Sequence, residues 1–569
     1  MVHSAVKTVF VVISSVLLLL AVSWGECFCA DISTDDIAAA IQKRIKTAKS
    51  RTYGLCCDSG ERLYFPAEVR IFYSRRGFSP AWTDSEGPLS VSNSLLKILR
   101  NASRHGLRPE DYHLASIEEL LSGTKWKIFG GSPLSAESST DLEFLLTDAF
   151  FLYASHLASG KVKEEKNKAW FLRERAVPDL TRAVEQALEP KQMEAVLESI
   201  APYSLSYVRL VAALRKYREI DRKGGWPIVP AGAAMKKGTS SERVSLLRER
   251  LRISGELPKN MDFGEKELFD DSLEKAVKDF QESHGINVDG IVGTSTLEAL
   301  NVTAAERIRQ IEVNLERLRW MPEDLGRDML VIVNIPEFRL RVVEDGNEKL
   351  SSKIVVGKYG GNTPVFNSSI KSIIVNPYWS VPHNIAAEEV LPLIKKSPEY
   401  LPYKGMKVLS GTRIVHPWTV DWEKVTAQNF KFQLRQDPGP RNPLGRIKFN
   451  FPNPFDVYLH DTPDRRLFEW EERNFSHGCI RVENPTELAV VLLGKDPEKS
   501  RKQILSATDT GKETVFPLAK PVGIYVIYFT AWVDDAGKLQ FRKDIYNHDA
   551  PVRAVLERPV LPSDQKTGR

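Results

Sequence analysis

The stretch DVYLHDTPDRRLFEWEERNFSHGCIRVENPTE, residues 456–487, decides how the C-terminal part of this sequence folds and which chemistry it carries. Asp456–His460 predicts a β-strand that ends on its histidine. Ser476–Arg481 reads Ser-His-Gly-Cys-Ile-Arg, and Asn484–Glu487 predicts a helix start, with Asn as the cap and Pro in the first turn. Cys479 is therefore expected just ahead of a helix N-terminus, where backbone N–H groups and the helix dipole favour a thiolate.

The side chains of this stretch suit cysteine acyl transfer. A neutral imidazole at His460, 19 positions before Cys479, could take the thiol proton and later return it to a leaving amine. Gly478 places no side chain beside the nucleophile, so backbone N–H groups could face an incoming carbonyl as an oxyanion hole. Reasoning from the residues alone ends at this class of reaction.

Two other interpretations stay open for Cys479. With His477 and His460 it supplies three possible zinc ligands, although no second Cys or His pair has ligand spacing. It could also be a buried, inert thiol. Cys479 stands apart from the other four cysteines, and in an oxidising compartment an isolated cysteine indicates a reactive thiol. Those four all lie near the N-terminus: Cys27, Cys29, Cys56 and Cys57.

Length and composition limit the classes of protein to consider. A chain of 569 residues is long enough for about three to four domains. Hydrophobic residues at 42% and charged residues at 27% exclude a mainly disordered chain, a collagen-like repeat and a polytopic membrane protein. The 79 Lys and Arg against 74 Asp and Glu give a net charge of +5, which is no nucleic-acid signature without clustering. A mildly basic protein fits work beside an acidic polymer.

Residues 1–30 predict a signal peptide or an N-terminal anchor. Lys7 precedes the apolar run Val9–Val22, which is short for a transmembrane helix but typical of a signal-peptide core. Small residues favour cleavage before Glu26, and a cut after Ala30 is a second option. In either case the rest of the chain is expected to be exported.

The remaining sequence predicts a multidomain α+β protein. Residues 31–230 are expected to form a helical domain, and residues 240–301 a small helical unit with apolar residues at helical spacing. A capping box opens a connecting helix over 303–322. From 329 to 550 the apolar period changes to two, which predicts a β-rich domain.

The β-rich domain contains one long interruption, residues 385–441, which is expected to be helical and loop-like. It carries Trp418 and Trp422. Insertions of this size are usually functional, for example as a lid over a site. Residues 551–569 are expected to be a tail.

His460 and Ser476–Arg481 together resemble the active-site signature of the L,D-transpeptidases, the YkuD-type catalytic domain. The segment 276–300, AVKDFQESHGINVDGIVGTSTLEAL, resembles the second half of a three-helix peptidoglycan-binding module. Further stretches support the catalytic domain: Gly357 with Asn362–Pro364, Val375–Trp379 and Asn442–Phe449. Others resemble the scaffold domain of the large Gram-negative members: Phe72–Tyr73, Arg76–Trp82, Gly106–Tyr112 and Asp141–Val162.

The resemblance implies a substrate and a reaction. The donor would be a peptidoglycan stem tetrapeptide, whose third-residue carbonyl is attacked by Cys479 with loss of D-alanine. Transfer to the side-chain amine of a neighbouring stem would give a 3→3 cross-link. The resemblance further implies a periplasmic location, inhibition by carbapenem-type lactams, and neither a cofactor nor a metal. Contact with a membrane would require that the N-terminal segment stay uncleaved.

It also implies roles for individual residues. His460 would be base and then acid, oriented by the backbone carbonyl or the carboxylate of Asp461. Backbone N–H groups of His477, Gly478 and the nucleophile are oxyanion-hole candidates. Arg481, where many smaller members have Asn, would bind a substrate carboxylate or pair with Glu483 or another nearby acid. Three aromatic residues would line the donor cleft or else be core: Tyr378, Trp418 and Trp422.

Other outcomes remain open for the same acyl-enzyme. Water as acceptor would make the protein an L,D-carboxypeptidase, and a lipoprotein lysine would make it a wall-to-protein transferase or hydrolase. A non-catalytic wall-binding scaffold is the alternative from a different class.

Overall fold

The structure, a computed structural model, describes residues 32–48, 55, 57, 60–125, 134–162, 170–171, 175, 178–258, 265–322, 328–494 and 496–560. The segment predicted as a signal peptide or anchor, residues 1–30, lies outside this part of the chain. Within these ranges no helix has the length and apolar character needed to cross a membrane. The predicted multidomain α+β architecture is confirmed.

The N-terminal domain is helical, and one long helix forms its centre. This helix, Ala136–Ser159, is buried on all sides from Ser139 to Ala158, as its all-round apolar sequence predicts. One of its buried polar groups, the Glu143 carboxylate, accepts backbone N–H groups from Ala81 and Trp82. The helices of this domain are α1 Thr34–Ala48, α2 Pro66–Arg75, α3 Ser90–Arg100, α4 Leu114–Lys125, α5 Ala136–Ser159, α6 Leu180–Ala187, α7 Met193–Ile200 and α8 Leu205–Arg222, with a hairpin of β1 Thr83–Asp84 and β2 Gly87–Pro88.

A small helical module and a connecting helix follow, as predicted. The module contains α9 Glu242–Ser254, α10 Asp271–His284 and α11 Thr294–Leu300, whose periodic apolar residues form a separate core. The connecting helix α12, Ala304–Trp320, begins at Thr303, whose hydroxyl accepts the Glu306 N–H at 3.2 Å.

The β-rich domain predicted over 329–550 contains a β-structure that closes on itself. The next strands of the chain are β3 Trp170–Phe171, β4 Leu330–Asn334, β5 Arg339–Glu344, β6 Asn347–Gly357, β7 Val365–Val375, β8 Trp379–Ser380, β9 Met406–Ser410, β10 Arg413–Val415, β11 Gln433–Gln436, β12 Ile447–Asn450, β13 Leu459–His460, β14 Asn474–Ser476, β15 Ile480–Val482 and β16 Thr514–Ile527. Eight of them pair in the order β12-β13-β15-β6-β5-β4-β16-β7, and β7 also pairs with β12, which closes the sheet. β3 pairs with β7, which joins the helical domain to this sheet, and β14 pairs with β6.

Two helices pack on the sheet, and short 3₁₀ turns occur along the chain. The helices are α16 Pro485–Leu493 and α17 Pro497–Asp509, numbered after those of the insertion. The 3₁₀ turns of the chain are Ala102–His105, Pro109–Asp111, Ile335–Glu337, Pro417–Thr419, Trp422–Lys424 and Arg465–Glu469.

The insertion predicted over 385–441 contains a sheet as well as helices, so its helical and loop-like description was incomplete. Strands β8 to β11 pair in the order β10-β9-β11-β8, and they pack with α13 His383–Ile385, a π-helical turn Ala386–Val390, α14 Leu391–Lys396 and α15 Tyr400–Lys404. The insertion has its own hydrophobic core, centred on Ile394, Val408 and Leu434.

The C-terminal hairpin, β17 Ala531–Val533 with β18 Leu539–Phe541, packs into the helical domain and not only onto the catalytic sheet. Its side chains join those of α12 and of the N-terminal helices in one hydrophobic core. Residues 551–557, expected in a tail, belong to helix α18, Asp549–Glu557, which packs on α12. The connecting helix therefore links three parts of the protein.

Candidate active site

Strands β13 and β15 bring the two halves of the motif together. They pair in parallel, with Leu459 opposite Ile480 and His460 opposite Arg481. Side chains alternate along a strand, and Leu459 and Ile480 both point into the core. His460 and Arg481 therefore share the opposite face, where Cys479 and Tyr458, two residues before each, also lie.

His460 is held as a neutral base. Its Nδ1 lies 2.5 Å from the backbone carbonyl oxygen of Asp461, which assigns the proton to Nδ1 and leaves Nε2 as the acceptor. Burial, followed by the charge of Arg481, lowers the pKa of His460 to about 3. Of the two orienting modes considered for Asp461, the structure shows the backbone carbonyl. The Asp461 carboxylate instead accepts the Arg446 N–H at 2.8 Å and pairs with Arg465 at 3.1 Å.

The environment of Cys479 differs from the predicted helix N-terminus. Strand β15 separates it from α16, and Asn484 makes no side-chain cap there, so the helix-dipole explanation was wrong. Burial raises the pKa of the Cys479 thiol. Opposing this, the backbone N–H and hydroxyl of Tyr458 and the positive charges of Lys448 and Arg481 lower this pKa. The thiol itself donates to the Asp456 carbonyl at 3.7 Å.

Sequence reasoning missed Tyr458 and Lys448. Lys448 opposes His460 directly across the β12–β13 pair, and its Nζ lies 4.0 Å from the centre of the Tyr458 ring. The signal for Tyr458 was available, because a residue two positions before His460 on a strand shares its face. Lys448 could not be placed without knowing the pairing of β12.

The backbone around the nucleophile narrows the choice of oxyanion donors. Gly478 adopts φ +124°, a conformation that disfavours other residues, and its N–H donates to Ser476 Oγ at 3.1 Å. That N–H is engaged in this conformation, contrary to the role expected for Gly478. Thr363 Oγ1 donates to the Gly478 carbonyl at 2.8 Å and fixes the loop. The backbone N–H groups of His477 and Cys479 remain the candidates.

The His477 side chain joins the active-site loop to the insertion. Its Nε2 lies 2.6 Å from Glu389 Oε1 in the π-helical turn of the insertion. Both side chains are partly exposed. The insertion thus contacts the motif directly, through a side chain that the sequence singled out only as a possible zinc ligand.

Arg481 faces the site without the ion pair considered for it. Among the ion pairs of the described residues, none joins Arg481 to Glu483. Burial lowers the pKa of Arg481, against the raising effect of Asp464, and its Nε is buried without a hydrogen-bond partner. A buried guanidinium donor with no partner is available to an incoming carboxylate.

The three predicted aromatic residues occupy different settings. Trp422 is only 5% exposed and donates its Nε1–H to the Pro417 carbonyl, so it belongs to the core of the insertion and not to a cleft wall. Trp418 is 54% exposed on the surface of the insertion. Tyr378 is partly exposed under Arg435, 4.7 Å from its ring centre. The adjacent Trp379 is the aromatic whose side chain acts on the site, because it lowers the pKa of Tyr458 against the effect of burial.

The zinc alternative requires a cluster of ligands. Within the described ranges, no group of three His, Cys, Asp or Glu side chains is arranged to hold a metal ion. His477 and His460 each use a ring nitrogen for another contact, with Glu389 and with the Asp461 carbonyl.

Three family models match the chain. The "L,D-transpeptidase catalytic domain" covers residues 328–499, the "Scaffold domain" residues 67–214, and the "Putative peptidoglycan binding domain" residues 240–300. A curated Haemophilus influenzae protein described as "Putative L,D-transpeptidase" is 33% identical over 246 residues, which are 43% of this chain and 49% of that protein. The chain thus spans about half the length of that relative.

Solved structures of L,D-transpeptidases are more distantly similar. The Xylanimonas cellulosilytica structure is 14% identical, with 52% of this chain and 99% of that chain covered and a TM-score of 0.17. The Stackebrandtia nassauensis structure is 16% identical, with 53% and 96% covered and a TM-score of 0.20. The family models show that residues 328–499 are a catalytic domain of the L,D-transpeptidase family, which this chain combines with a scaffold domain and a peptidoglycan-binding domain.

Proposed function

We propose that this protein is a peptidoglycan L,D-transpeptidase that forms 3→3 cross-links through an acyl-enzyme on Cys479. The observation that carries the proposal is the shared face of β13 and β15, on which His460, Cys479, Tyr458 and Arg481 lie together. The match of the catalytic-domain family to residues 328–499 supports the same reaction class.

In the first half-reaction, His460 Nε2 takes the thiol proton as the sulfur attacks the carbonyl of the third stem residue. Backbone N–H groups of His477 and Cys479 stabilise the oxyanion. Collapse of the tetrahedral intermediate breaks the peptide bond, and the departing D-alanine amine takes the proton from His460. In the second half-reaction a neighbouring stem's side-chain amine attacks the thioester, gives its proton to His460, and restores the thiol.

The raised pKa of Cys479 is compatible with this sequence of events. The resting thiol keeps its proton because burial disfavours the charged form. A neutral His460 beside it can accept the proton when attack begins, and the Tyr458 hydroxyl then stabilises the negative sulfur. Charge therefore develops only while the substrate excludes water.

Location and partners follow from the same proposal. A cell-wall substrate would be met in the periplasm, which agrees with the export signal expected in residues 1–30. The module at residues 240–300 supports peptidoglycan as the partner polymer.

The test is mass spectrometry of the products formed from purified disaccharide-tetrapeptides. A dimer lacking one D-alanine supports transpeptidation, and tripeptide alone identifies an L,D-carboxypeptidase. Added lipoprotein that becomes linked to the stem peptide would identify a wall-to-protein transferase. No product from the wild-type protein, with Cys479→Ser as a matched control, would favour a non-catalytic scaffold.

A further inference from the structure

A wide cleft lies between the peptidoglycan-binding module and the catalytic domain. Its volume is about 1740 Å³, well above the about 300–1,000 Å³ of sites that enclose a small molecule. One wall comes from the end of α10 and the loop after it, including Val288. The facing wall comes from the segment Asp464–Arg473 of the catalytic domain, and the hairpin β17–β18 closes the base.

The two walls are held at a fixed separation. Arg542 of the hairpin donates to the Ser283 carbonyl at 2.9 Å, and Lys538 pairs with Glu282 at 3.1 Å. A Cβ at Gly285 would lie 2.5 Å from Arg542 Cδ, so the module approaches the hairpin as closely as a glycine allows. The cleft is therefore preformed.

A further contact ties the hairpin region to the facing wall. Lys543, two residues after β18, pairs with Glu472 of the catalytic segment at 2.6 Å. This bond, like those of the hairpin, needs no ligand to form. The module is thus docked onto the catalytic domain and not tethered loosely beside it.

One end of the cleft lies close to the candidate base. Asp464 lines the cleft four residues after His460. The next residue, Arg465, pairs at 3.1 Å with Asp461, whose backbone carbonyl holds His460. A ligand that lies along the Asp464–Arg473 wall would therefore end near the segment that carries His460.

The chemistry of the walls suits a glycan that carries peptides. Trp470 is 62% exposed in the cleft, and its ring offers a flat apolar face of the kind on which a sugar ring can stack. Arg466 and Glu469 flank it with donors and acceptors for hydroxyl, amide and carboxylate groups. Cations and acids are mixed along both walls, so a uniformly charged polyanion such as a nucleic acid is disfavoured.

We propose that this cleft binds a peptidoglycan strand and presents its stem peptides to the His460 side of the active site. The inference rests on the proposed function and adds a location to it: the strand lies between the module and Trp470, and not on the module alone. The same cleft would then select wall-bound stems over soluble fragments.

The test measures binding of the full chain to purified sacculi by co-sedimentation, in a Cys479→Ser background that prevents turnover. Trp470→Ala and Arg466→Glu should each weaken binding by about tenfold, which corresponds to ~1.4 kcal/mol. Tyr203→Ala is the matched control, because Tyr203 is also 62% exposed but lies in the helical domain. Equal sedimentation of Trp470→Ala and Tyr203→Ala would overturn the proposal.

A second readout separates this inference from the proposed function. In the active protein, Trp470→Ala should slow the modification of sacculi several-fold more than it slows turnover of soluble disaccharide-tetrapeptides. If turnover of both substrates falls equally, Trp470 acts in the catalytic site and the cleft proposal is wrong. If the wild-type protein has no activity on soluble substrate, the proposed function fails, and the sedimentation result still decides the cleft.

Discussion

His477 Nε2 lies 2.6 Å from Glu389 Oε1, so the loop that carries the nucleophile is joined to the insertion by one side-chain contact. Because both side chains are partly exposed, the contact contributes at most about 1 kcal/mol to stability. A contact this weak can break and re-form during turnover. It therefore favours a position of the insertion near the site and still allows the insertion to move away.

Glu389→Gln should raise hydrolysis of the acyl-enzyme relative to transfer. If the insertion acts as a lid that excludes water, weakening its contact with His477 admits water to the thioester. We expect the ratio of tripeptide to cross-linked dimer to increase several-fold, measured by chromatography of muropeptide products. Glu388→Gln is the control, since Glu388 is an exposed neighbour in the same turn. An unchanged ratio would show that the contact does not control water access.

Tyr458→Phe should slow reactions of the Cys479 thiol while leaving the fold intact. The substitution removes the hydroxyl that lowers the pKa of Cys479, so this pKa should rise further. We expect the rate of alkylation by iodoacetamide at pH 8 to fall about tenfold, which corresponds to ~1.4 kcal/mol less stabilisation of the thiolate. Tyr203→Phe serves as the control. Wild-type alkylation by Tyr458→Phe would mean that the hydroxyl does not stabilise the thiolate.

His460→Asn should remove part of the acid sensitivity of the fold. An unfolded histidine protonates near its ordinary pKa of about 6.5, whereas burial and Arg481 lower the pKa of folded His460 to about 3. Between these values the unfolded chain binds a proton that the folded chain does not, so stability falls as the pH drops through this window.

Urea unfolding at several pH values provides the measurement. We expect the wild-type protein to lose up to about 1.4 kcal/mol per pH unit more than His460→Asn within that window. His416→Asn, at an exposed histidine of the insertion, should follow the wild type. Parallel stability curves for the wild type and His460→Asn would show that His460 is not a neutral buried base. Activity of His460→Asn should fall by about 10²–10⁴.

Carbapenems should form a covalent adduct with the protein, and penicillins should react weakly. A strained lactam carbonyl offers Cys479 the same electrophile as a stem peptide, and the preference for carbapenems is what the family resemblance implies. Intact-mass spectrometry should show an increase equal to the drug mass that is absent in Cys479→Ser. A wild-type protein that turns over tetrapeptide but forms no adduct would contradict this, unless shortening the insertion restores the adduct.

The sequence was sufficient for the parts of the site that a local pattern defines. The spacing of His460 and Cys479 and the strand that ends on His460 predicted that the two residues come together, and the structure places them on one face. Trp379 was not among the predicted cleft residues, because the direction of a side chain on a strand of two residues depends on its partner strands. Likewise, the thiolate was assigned to a helix N-terminus because the short strand β15 between Cys479 and α16 has no distinct pattern.

Long-range packing accounts for most of the remaining differences. The strands of the insertion are two to five residues long and pair across loops, so their periodicity is too short to read. In the connecting helix two charged residues, Glu316 and Arg319, are fully buried as an ion pair at 2.9 Å. A charged residue in a sequence predicts an exposed position unless an oppositely charged partner is known, and here the packing of the helices decides which charges pair.

Intact-mass spectrometry of the protein mixed rapidly with disaccharide-tetrapeptide tests most directly whether Cys479 forms an acyl-enzyme. We expect a transient adduct whose mass equals that of the substrate minus alanine, followed by a cross-linked dimer that lacks one D-alanine. Both should be absent in Cys479→Ser, which should keep the wild-type fold and sacculus binding. Cross-linked dimer formed by Cys479→Ser, or an adduct located on another residue, would contradict the assignment of Cys479 as the nucleophile.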